Sequence, residues 1–564
     1  MENPVSSASL TMMDQFRSFN RTFWLAGLME VIERLGYYGL RTVVPVYMVL
    51  AVEEGGPEFT HVQKGAIFAV WAAVQSFVPV FTGGFADRYG YKKTVFIATV
   101  VKILGYLQMG FAVEFANLLS GGQAAGVAGA PSTYYIFMSG AVLLAGGTAI
   151  FKPGLQPIIA LQLNERNSGF GWSIFYQLVN VGGFLGPILA GVMRLLAWKW
   201  VFVSCAVIVA INFLMLLTFP EPASGASDDE SAIPWYIVLY RSILGIFEPR
   251  VMSFLIVFSG FWLMFNQLFD LLPNFIDDWV DSRGVLAFFM NPAEAPAEWG
   301  GRIPQEFMIN INAGMCMLLA FVIGYVTGKV QAMKAMIAGM LVAALAIWGL
   351  GFTMNGWWTL FAIAGFSLGE LMASPTKLRY FGDIAPPGRK GLYLGYINAT
   401  NGIGWAVGSY IAGSLYQENG DKVVLARRYL EQNLGIDAAT VSALSKSEVI
   451  PFLAEKTQTD SFAVMELLWN TYAPNQIWGT FALVGLASAI GLVGFELVTR
   501  KGGRAEPALL LALTWLVAGF VYLPHLSEYG TTLRVLMALG MVVVPAIITL
   551  LEYVSPSRLP WHAE

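Results

Sequence analysis

The chain has few charged residues, few histidines and few cysteines for its 564 residues. Asp, Glu, Lys and Arg together make up 12%, about half the share of an ordinary soluble protein, whereas apolar residues reach 56%. This balance excludes a soluble multidomain protein and predicts a polytopic membrane protein. The 59 glycines and the aromatic share of 14% agree with packed membrane helices and interfacial aromatic belts.

The scarcity of cysteine and histidine also excludes several kinds of site. Cys205 and Cys316 lie inside apolar runs, which argues against a disulfide framework or a cysteine metal site. His61, His525 and His562 are scattered and form no zinc-type or nucleophile arrangement, and no phosphate-binding glycine loop is present. The sequence therefore predicts no enzyme, no metal site and no ATP-driven pump. A net charge of −4 offers no basic surface for nucleic acid.

Fourteen apolar runs, each of about 20 residues, are long enough to cross the hydrocarbon core of a bilayer. The predicted spans lie near 22–50, 62–86, 93–115, 134–163, 169–194, 199–219, 251–280, 305–328, 331–353, 358–384, 388–416, 476–499, 507–525 and 532–553. Residues 1–21 are polar and lack a cleaved-signal pattern, so the first span is predicted to insert directly.

The spacing of these runs predicts an all-α protein of two six-helix bundles followed by two extra C-terminal helices. Segment 220–250 is predicted to be a linker with an interfacial helix, because it begins with Pro, Ser, Gly and acidic residues. Segment 417–475 is predicted to form a small cap rather than a ligand-binding domain. The predicted parts are a tail (1–21), a first bundle (22–219), the linker (220–250), a second bundle that contains 417–475 (251–500), and a helix pair with a C-terminal tail (501–564).

The distribution of Lys and Arg predicts the orientation of the chain in the bilayer. Loops on the side of the N-terminus carry fourteen basic residues, against six in the short loops on the other side. Because basic loops stay in the cytosol, both termini are predicted to be cytosolic. The host membrane would be a plasma or inner membrane.

Four charged residues lie within twelve consecutive positions of the first predicted span. Each costs about 2.5–3.5 kcal/mol near the bilayer centre, so their helix face must line a cavity or contact partners rather than lipid. A purely structural ion-pair network is the alternative. Helical spacing places the polar residues of this face on two neighbouring rows, Glu30–Arg34–Tyr38 and Glu33–Tyr37–Arg41.

Other predicted spans contribute Lys152, Asp270 and Glu370. Lys152 needs an acidic partner, and the glutamates of the first span are the available ones. Lys102 is expected to extend to the interface or to pack structurally. The other intramembrane charges sum to −1, which suggests that one carboxylate is protonated during a functional cycle.

Between the second and third spans lies GGFADRYGYKK, in which glycine permits a tight turn and Asp can cap a helix. This segment resembles the signature loop of the major facilitator superfamily. Its loop residues are Gly83, Asp87, Arg88, Gly90 and Lys92.

The stretch from Glu30 to Arg41, E-x-x-E-R-x-x-Y-Y-G-x-R, resembles the first-helix motif of the proton-coupled oligopeptide transporters, a family that extends to nitrate carriers. The segments FKPGLQP, FYQLVNVGG, GELMASP and APPGRKGLYLG resemble further parts of that family. The resemblance implies two six-helix bundles and symport of di- and tripeptides with protons by alternating access. The partners would be short peptides, protons and the bilayer, and a proton gradient would stand in place of any cofactor.

The resemblance also implies roles for individual residues. The proton-coupling positions would be Glu30, Glu33, Arg34 and Lys152. The peptide-contacting positions would be Arg34, Tyr37, Tyr38, Lys152, Asn180, Asn312 and Glu370, with Glu370 facing the peptide amino group. Arg41 would gate the outer side, and Asp270 is expected to pair with it, because Asn266 occupies the position at which many members have an acid.

Two alternatives remain open at this stage. The chain could carry another small solute, such as nitrate, a carboxylate or an amino-acid-like compound. It could also be a membrane sensor derived from a transporter, with 417–475 as its partner site. An intact Glu370 favours substrates that bear an amine, and the complete charge triplet in the first span favours transport.

Overall fold

A computed structural model describes residues 12–123, 126–164, 167–221, 243–385, 390–525 and 531–559. These residues form helices and turns, with one isolated β-bridge between Asp281 and Asn355. The predicted all-α class is therefore confirmed.

A long helix corresponds to each predicted span. The helices are α1 (Arg21–Val49), α2 (His61–Tyr89), α3 (Tyr91–Gly110), α4 (Pro131–Ala160), α5 (Ser168–Arg194), α6 (Trp198–Leu216), α7 (Pro249–Asp270, continued by Leu272–Trp279), α8 (Gln305–Gly328), α9 (Ala332–Gly349), α10 (Gly356–Ile384), α11 (Lys390–Asn419), α12 (Ile477–Lys501), α13 (Glu506–Val521) and α14 (Thr531–Ala538, Leu539–Val543 and Val544–Val554).

Length and hydropathy alone identify fewer spans than fourteen. Among the described residues, eight helices are long and apolar enough to cross a membrane, and α3 with the bent continuation Ala112–Leu119 would make a ninth. Helix α1 is not one of them, and its five charged residues lower its hydropathy. The multi-pass character is clear, and the count of fourteen stays a prediction.

The helices pack as two groups. In the first half, α1 packs against α5 and α6, and α3 packs against α4 and α6. In the second half, α7 packs against α11 and α12, and α9 packs against α10. The halves meet where α2 packs on α11 and where α5 packs on α8. Helix α13 packs on α7 and α12, so the extra pair is attached to the second half.

The segment 417–475, called the insertion below, folds into short helices that follow α11. They are Lys422–Gln432, Ala438–Ala443, Val449–Thr457 and Ser461–Tyr472. We call the end of the molecule that carries the insertion the insertion side, and the end at which α1 begins the terminal side. The interfacial helix predicted within 220–250 falls largely on residues 222–242, outside the described residues.

The connection between α2 and α3 differs from the expected loop. Gly83 lies within α2, and the chain turns at Gly90, whose φ of +99° suits glycine. The start of α3 is capped by Glu221, which accepts hydrogen bonds from the backbone N–H groups of Tyr91 (2.7 Å) and Lys92 (3.1 Å). The Lys92 ammonium donates to the carbonyl of Phe219 at 2.5 Å. This motif therefore joins the ends of α2, α3 and α6.

Candidate functional site

The charged face of α1 forms a buried ion-pair cluster. Arg34 Nε lies 3.2 Å from Glu30 Oε1 one turn earlier, as the row spacing predicted, and Arg34 Nη2 contacts Glu33 Oε2. The guanidinium also lies over the ring of Tyr37, 5.0 Å from its centroid. All three charged side chains are at most 4% exposed, so the cluster faces protein rather than lipid.

The lysine that pairs with this cluster is Lys102 of α3. Its ammonium is fully buried and donates a hydrogen bond to Glu33 Oε1. Of the two expectations for Lys102, extension to the interface and structural packing, the structure agrees with packing. A Cβ added at Gly147 of α4 would overlap Lys102 Cγ, so glycine leaves the space in which the lysine lies.

The expected ion pair of Lys152 with the α1 glutamates is not formed. Lys152 is exposed, and it interacts electrostatically with Glu30 and Glu33, but no carboxylate of the described residues lies within ion-pair distance of its ammonium. Lys102 occupies the place on Glu33 that Lys152 was expected to take.

The buried charges include more residues than the predicted sum of −1 counted. Lys64, Lys102 and Lys377 are further buried cations, and Glu306 and Asp421 are further buried carboxylates. Lys377 lies on α10 two turns after Glu370, and its ammonium is 3.9 Å from the centre of a Trp262 ring. Cation–π contact stabilises a lysine in such a place.

A small cavity of about 60 Å³ lies between the two halves, and we call it the central cavity. It contains four of the predicted peptide-contacting residues, two from each half. Its lining residues are Tyr38, Thr42, Val179, Asn180, Gly183, Pro187, Phe265, Phe269, Ile309, Asn310, Asn312, Ala313, Cys316 and Glu370. Arg34, Tyr37 and Lys152 do not line it. The hydroxyl of Tyr37 donates instead to Gln75 Oε1 of α2 at 3.1 Å.

The carboxylate of Glu370 is held in a fixed orientation on the second-half wall of the central cavity. Asn312 Nδ2 donates to Glu370 Oε2 at 2.7 Å and to Ser367 Oγ at 3.0 Å. Cys316 Sγ lies 3.8 Å from the same carboxylate oxygen. On the opposite wall, the amide nitrogen of Asn180 is buried, and its side chain interacts with that of Tyr176 one turn earlier. The cavity thus offers a carboxylate on one wall and an amide on the other.

Arg41 and Asp270 close the cavity toward the insertion side. They form an ion pair between α1 and α7, and both are at most 3% exposed. The second carboxylate oxygen of Asp270 accepts hydrogen bonds from Trp405 Nε1 (3.1 Å) and from Ser409 Oγ, both of α11. The structure therefore brings together the two residues that the sequence proposed as a gate.

Sequence reasoning missed a second layer of contacts between the halves. Lys64 of α2, which was counted as an outside-loop residue, donates to Asn274 Oδ1 at 2.5 Å and to the carbonyl of Asp270 at 3.1 Å. His61 Nε2 lies 3.3 Å from Asp421 at the start of the insertion. Lys446, also of the insertion, donates to a carbonyl at the end of α1 at 2.5 Å. The insertion side is therefore closed by α2, α7, α11 and the insertion together.

Comparison with known proteins agrees with this architecture. The model of the Major Facilitator Superfamily matches residues 26–290 and 282–425, which together make up most of the chain. The peptide transporter YePEPT of Yersinia enterocolitica is 26% identical over 219 residues, which cover 38% of this chain. The matched segment spans only 39% of the length of that relative. The multidrug resistance protein MdtH of an Enterobacter species is 22% identical over 413 residues, covering 72% of this chain and 89% of its own.

The fold is shared with solved transporters. A POT family transporter crystallised with a thioalcohol-conjugated peptide superposes with a TM-score of 0.56 at 16% identity, covering 86% of this chain and 99% of that one. The resemblance inferred from the first-helix motif is thereby confirmed. The chain belongs to the major facilitator superfamily, and it has the fold of the POT peptide-transporter family within it.

Proposed function

We propose that this protein is a proton-coupled symporter of di- and tripeptides that works by alternating access. The observation that supports this most is the central cavity, which has the Glu370 carboxylate on the wall from the second half. The cations Arg34 and Lys152 lie in the first half. A free peptide carries an amine at one end and a carboxylate at the other, and it matches this polarity.

The lining of the central cavity fits the proposed substrate. It combines the Glu370 carboxylate with side-chain amides and with the hydroxyl groups of Tyr38 and Thr42. Glu370 would bind the peptide amino group, and Asn312 would keep the carboxylate in place. Tyr38 and Asn180 would contact the peptide backbone from the first half.

The transport cycle would alternate between closure at the two ends of the cavity. The Arg41–Asp270 pair and the contacts of Lys64 hold the insertion side closed in this conformation. Opening would break these contacts while the terminal side closes, as the halves rock about a midplane site. We place both termini in the cytosol and the insertion outside, in a plasma or inner membrane. The joint formed by Gly83, Asp87, Arg88, Gly90 and Lys92 would bend as the halves move.

Proton coupling would be carried by the α1 cluster. A peptide carboxylate that binds Lys152 and Arg34 competes with Glu30 for the guanidinium, which lies 3.2 Å from Glu30 in this conformation. Protonation of a glutamate would remove the competing charge. Binding of the proton and of the peptide would then favour each other, as symport requires. In this proposal the chain is a carrier and has no catalytic site.

A carrier for another small solute is the second candidate. The similarity to the multidrug resistance protein MdtH favours it, because that similarity extends over more of this chain than the similarity to YePEPT does. An amino-acid-like compound with both an amine and a carboxylate would fit the cavity as well as a peptide. Nitrate or a simple carboxylate has no group that pairs with Glu370.

Uptake of labelled di- and tripeptides into proteoliposomes tests the proposal. A pH gradient is imposed or withheld, and nitrate and free amino acids are added as competitors. We expect accumulation that depends on the gradient and is lost in Glu33→Gln but retained in Glu455→Gln, a change at an exposed position. Failure of peptides both to accumulate and to compete, with protein that is folded and correctly inserted, would contradict the peptide assignment.

A further inference from the structure

The two glutamates of the α1 cluster differ in how their charge is compensated. Glu33 has a cation on each carboxylate oxygen, Lys102 on Oε1 and Arg34 on Oε2, and it accepts a hydrogen bond from Lys102. Glu30 has a single ion-pair contact, with Arg34 at 3.2 Å, and no lysine of the described residues lies within ion-pair distance of it. Protonation of Glu33 would therefore disrupt two charged contacts, and protonation of Glu30 only one.

The packing of α3 against α4 explains why Lys102 pairs with Glu33 and not with Glu30. Gly147 of α4 leaves space for the aliphatic stem of Lys102, and Gly105 lets α3 and α4 approach so closely that an added Cβ would lie 2.6 Å from the nitrogen of Leu144. The lysine is enclosed and its ammonium points to Glu33. A lysine buried without a carboxylate would be costly, so each member of this pair keeps the other charged.

The remaining titratable and charged groups around the two glutamates come from four helices. They are Arg34, Tyr37 and Tyr38 of α1, Lys102 and Tyr106 of α3, Lys152 of α4 and Cys205 of α6. Three cations surround two carboxylates. A substrate carboxylate at Lys152 would add a third anion, and Glu30 is the carboxylate with the fewest contacts to lose.

We propose that Lys102 is a positioning residue that keeps Glu33 ionised throughout the cycle and thereby makes Glu30 the carrier of the transported proton. This inference rests on the proposed proton coupling and adds to it the identity of the carrier. Glu30 takes one proton from water on the proton-rich side, loses its ion pair with Arg34, and returns the proton to water on the other side. Arg34, once released, is available to the substrate carboxylate.

Infrared difference spectroscopy tests this without any substrate. The full-length protein in lipid is titrated with acid, and the stretching band of a buried protonated carboxyl group is followed in H₂O and D₂O. We expect a band that disappears in Glu30→Gln and persists in Glu33→Gln. In Lys102→Met we expect a second buried carboxyl group to titrate, because Glu33 has lost its partner. Lys102→Arg restores a single titration.

The controls separate positioning from damage to the fold. Lys93→Met removes an exposed lysine from the same helix and should leave the titration unchanged. Each variant is accepted only if its thermal unfolding and monodispersity match the parent. Loss of the band in Glu33→Gln with persistence in Glu30→Gln would overturn the proposal. An unchanged single titration in Lys102→Met would overturn it too. Because no peptide is involved, failure of peptide uptake would bear on the proposed function alone.

Discussion

Arg41 of the first half and Asp270 of the second half form a buried ion pair across the interface between the two halves. Trp405 and Ser409 hold the second oxygen of the Asp270 carboxylate, so three helices meet at one acidic side chain. A buried carboxylate with these partners fixes the arrangement of both halves. Removing its charge leaves Arg41 buried and unpaired, which costs about 3–5 kcal/mol.

We therefore expect Asp270→Asn to open the insertion side and to lower uptake at least tenfold. Spin labels at Glu53→Cys and Glu418→Cys, exposed positions on opposite halves, report the opening as a longer distance. The native cysteines are buried and do not compete for the label. Asp277→Asn, at an exposed position on the continuation of α7, is the matched control. An unchanged distance distribution in Asp270→Asn would show that this pair does not hold the halves together.

Glu370→Gln should weaken the binding of substrates that have a free amino group. The amide keeps the shape of the side chain and the contact with Asn312 but loses the negative charge. We expect KM for a free dipeptide to rise at least tenfold, whereas competition by its N-acetylated form changes little. Competition assays in proteoliposomes measure both. Equal weakening for the two peptides would indicate that Glu370 acts on conformation rather than on the amine.

The insertion should stabilise the closed state, because two of its residues contact the first half. Lys446 donates to the carbonyl of Val49, and Asp421 lies 3.3 Å from His61. Lys446→Met is expected to increase the accessibility of a cysteine at Glu53 severalfold while substrate binding is retained. Lys456→Met serves as the control, because this lysine contacts Glu455 and the ring of Phe452, both within the insertion. Identical accessibility in the two variants would assign the insertion a role other than closure.

Close approach of α2 and α11 gives a steric prediction. A Cβ at Gly413 would lie 2.6 Å from the carbonyl oxygen of His61, and one at Gly65 would lie 2.5 Å from that of Ser409. Gly413→Ala should therefore prevent closure of the insertion side and abolish transport, although substrate still binds. In α12, a Cβ at Gly479 meets nothing within 4 Å, so Gly479→Ala should transport normally. Normal transport by Gly413→Ala would mean that the two helices separate without functional cost.

The sequence was sufficient to predict the features that are set within a single helix. The rows of α1 follow from helical spacing, and the pair of Glu30 with Arg34 has the predicted separation of one turn. Helix positions also followed from apolar run length, with ends that shifted by a few residues. The pair of Arg41 with Asp270 could be predicted because both side chains are charged, and charged side chains in a bilayer need partners.

What depends on packing between helices could not be predicted in the same way. Lys102 and Lys152 are both single lysines in apolar runs, and no local pattern distinguishes the one that reaches Glu33. Lys102 can reach Glu33 because Gly147 has no side chain and leaves space for the aliphatic part of Lys102. That contact exists only once α3 and α4 are packed. Lys64 was missed for a related reason. It lies near the end of a predicted span, where a lysine is normally solvated, and its partner Asn274 is known only once α2 and α7 are packed.

The attachment of the extra helices has a consequence for how the molecule moves. Arg250 at the start of α7 pairs with Glu506 of α13, and Ser259 of α7 shares a hydrogen bond of 2.5 Å with Tyr522 after α13. The insertion follows α11, which belongs to the same half. Both additions thus enlarge one half, and the extra helices make that half displace more lipid and meet more viscous drag than the other. We therefore expect the six helices of the first half to move farther in the bilayer than the second half does during the transport cycle.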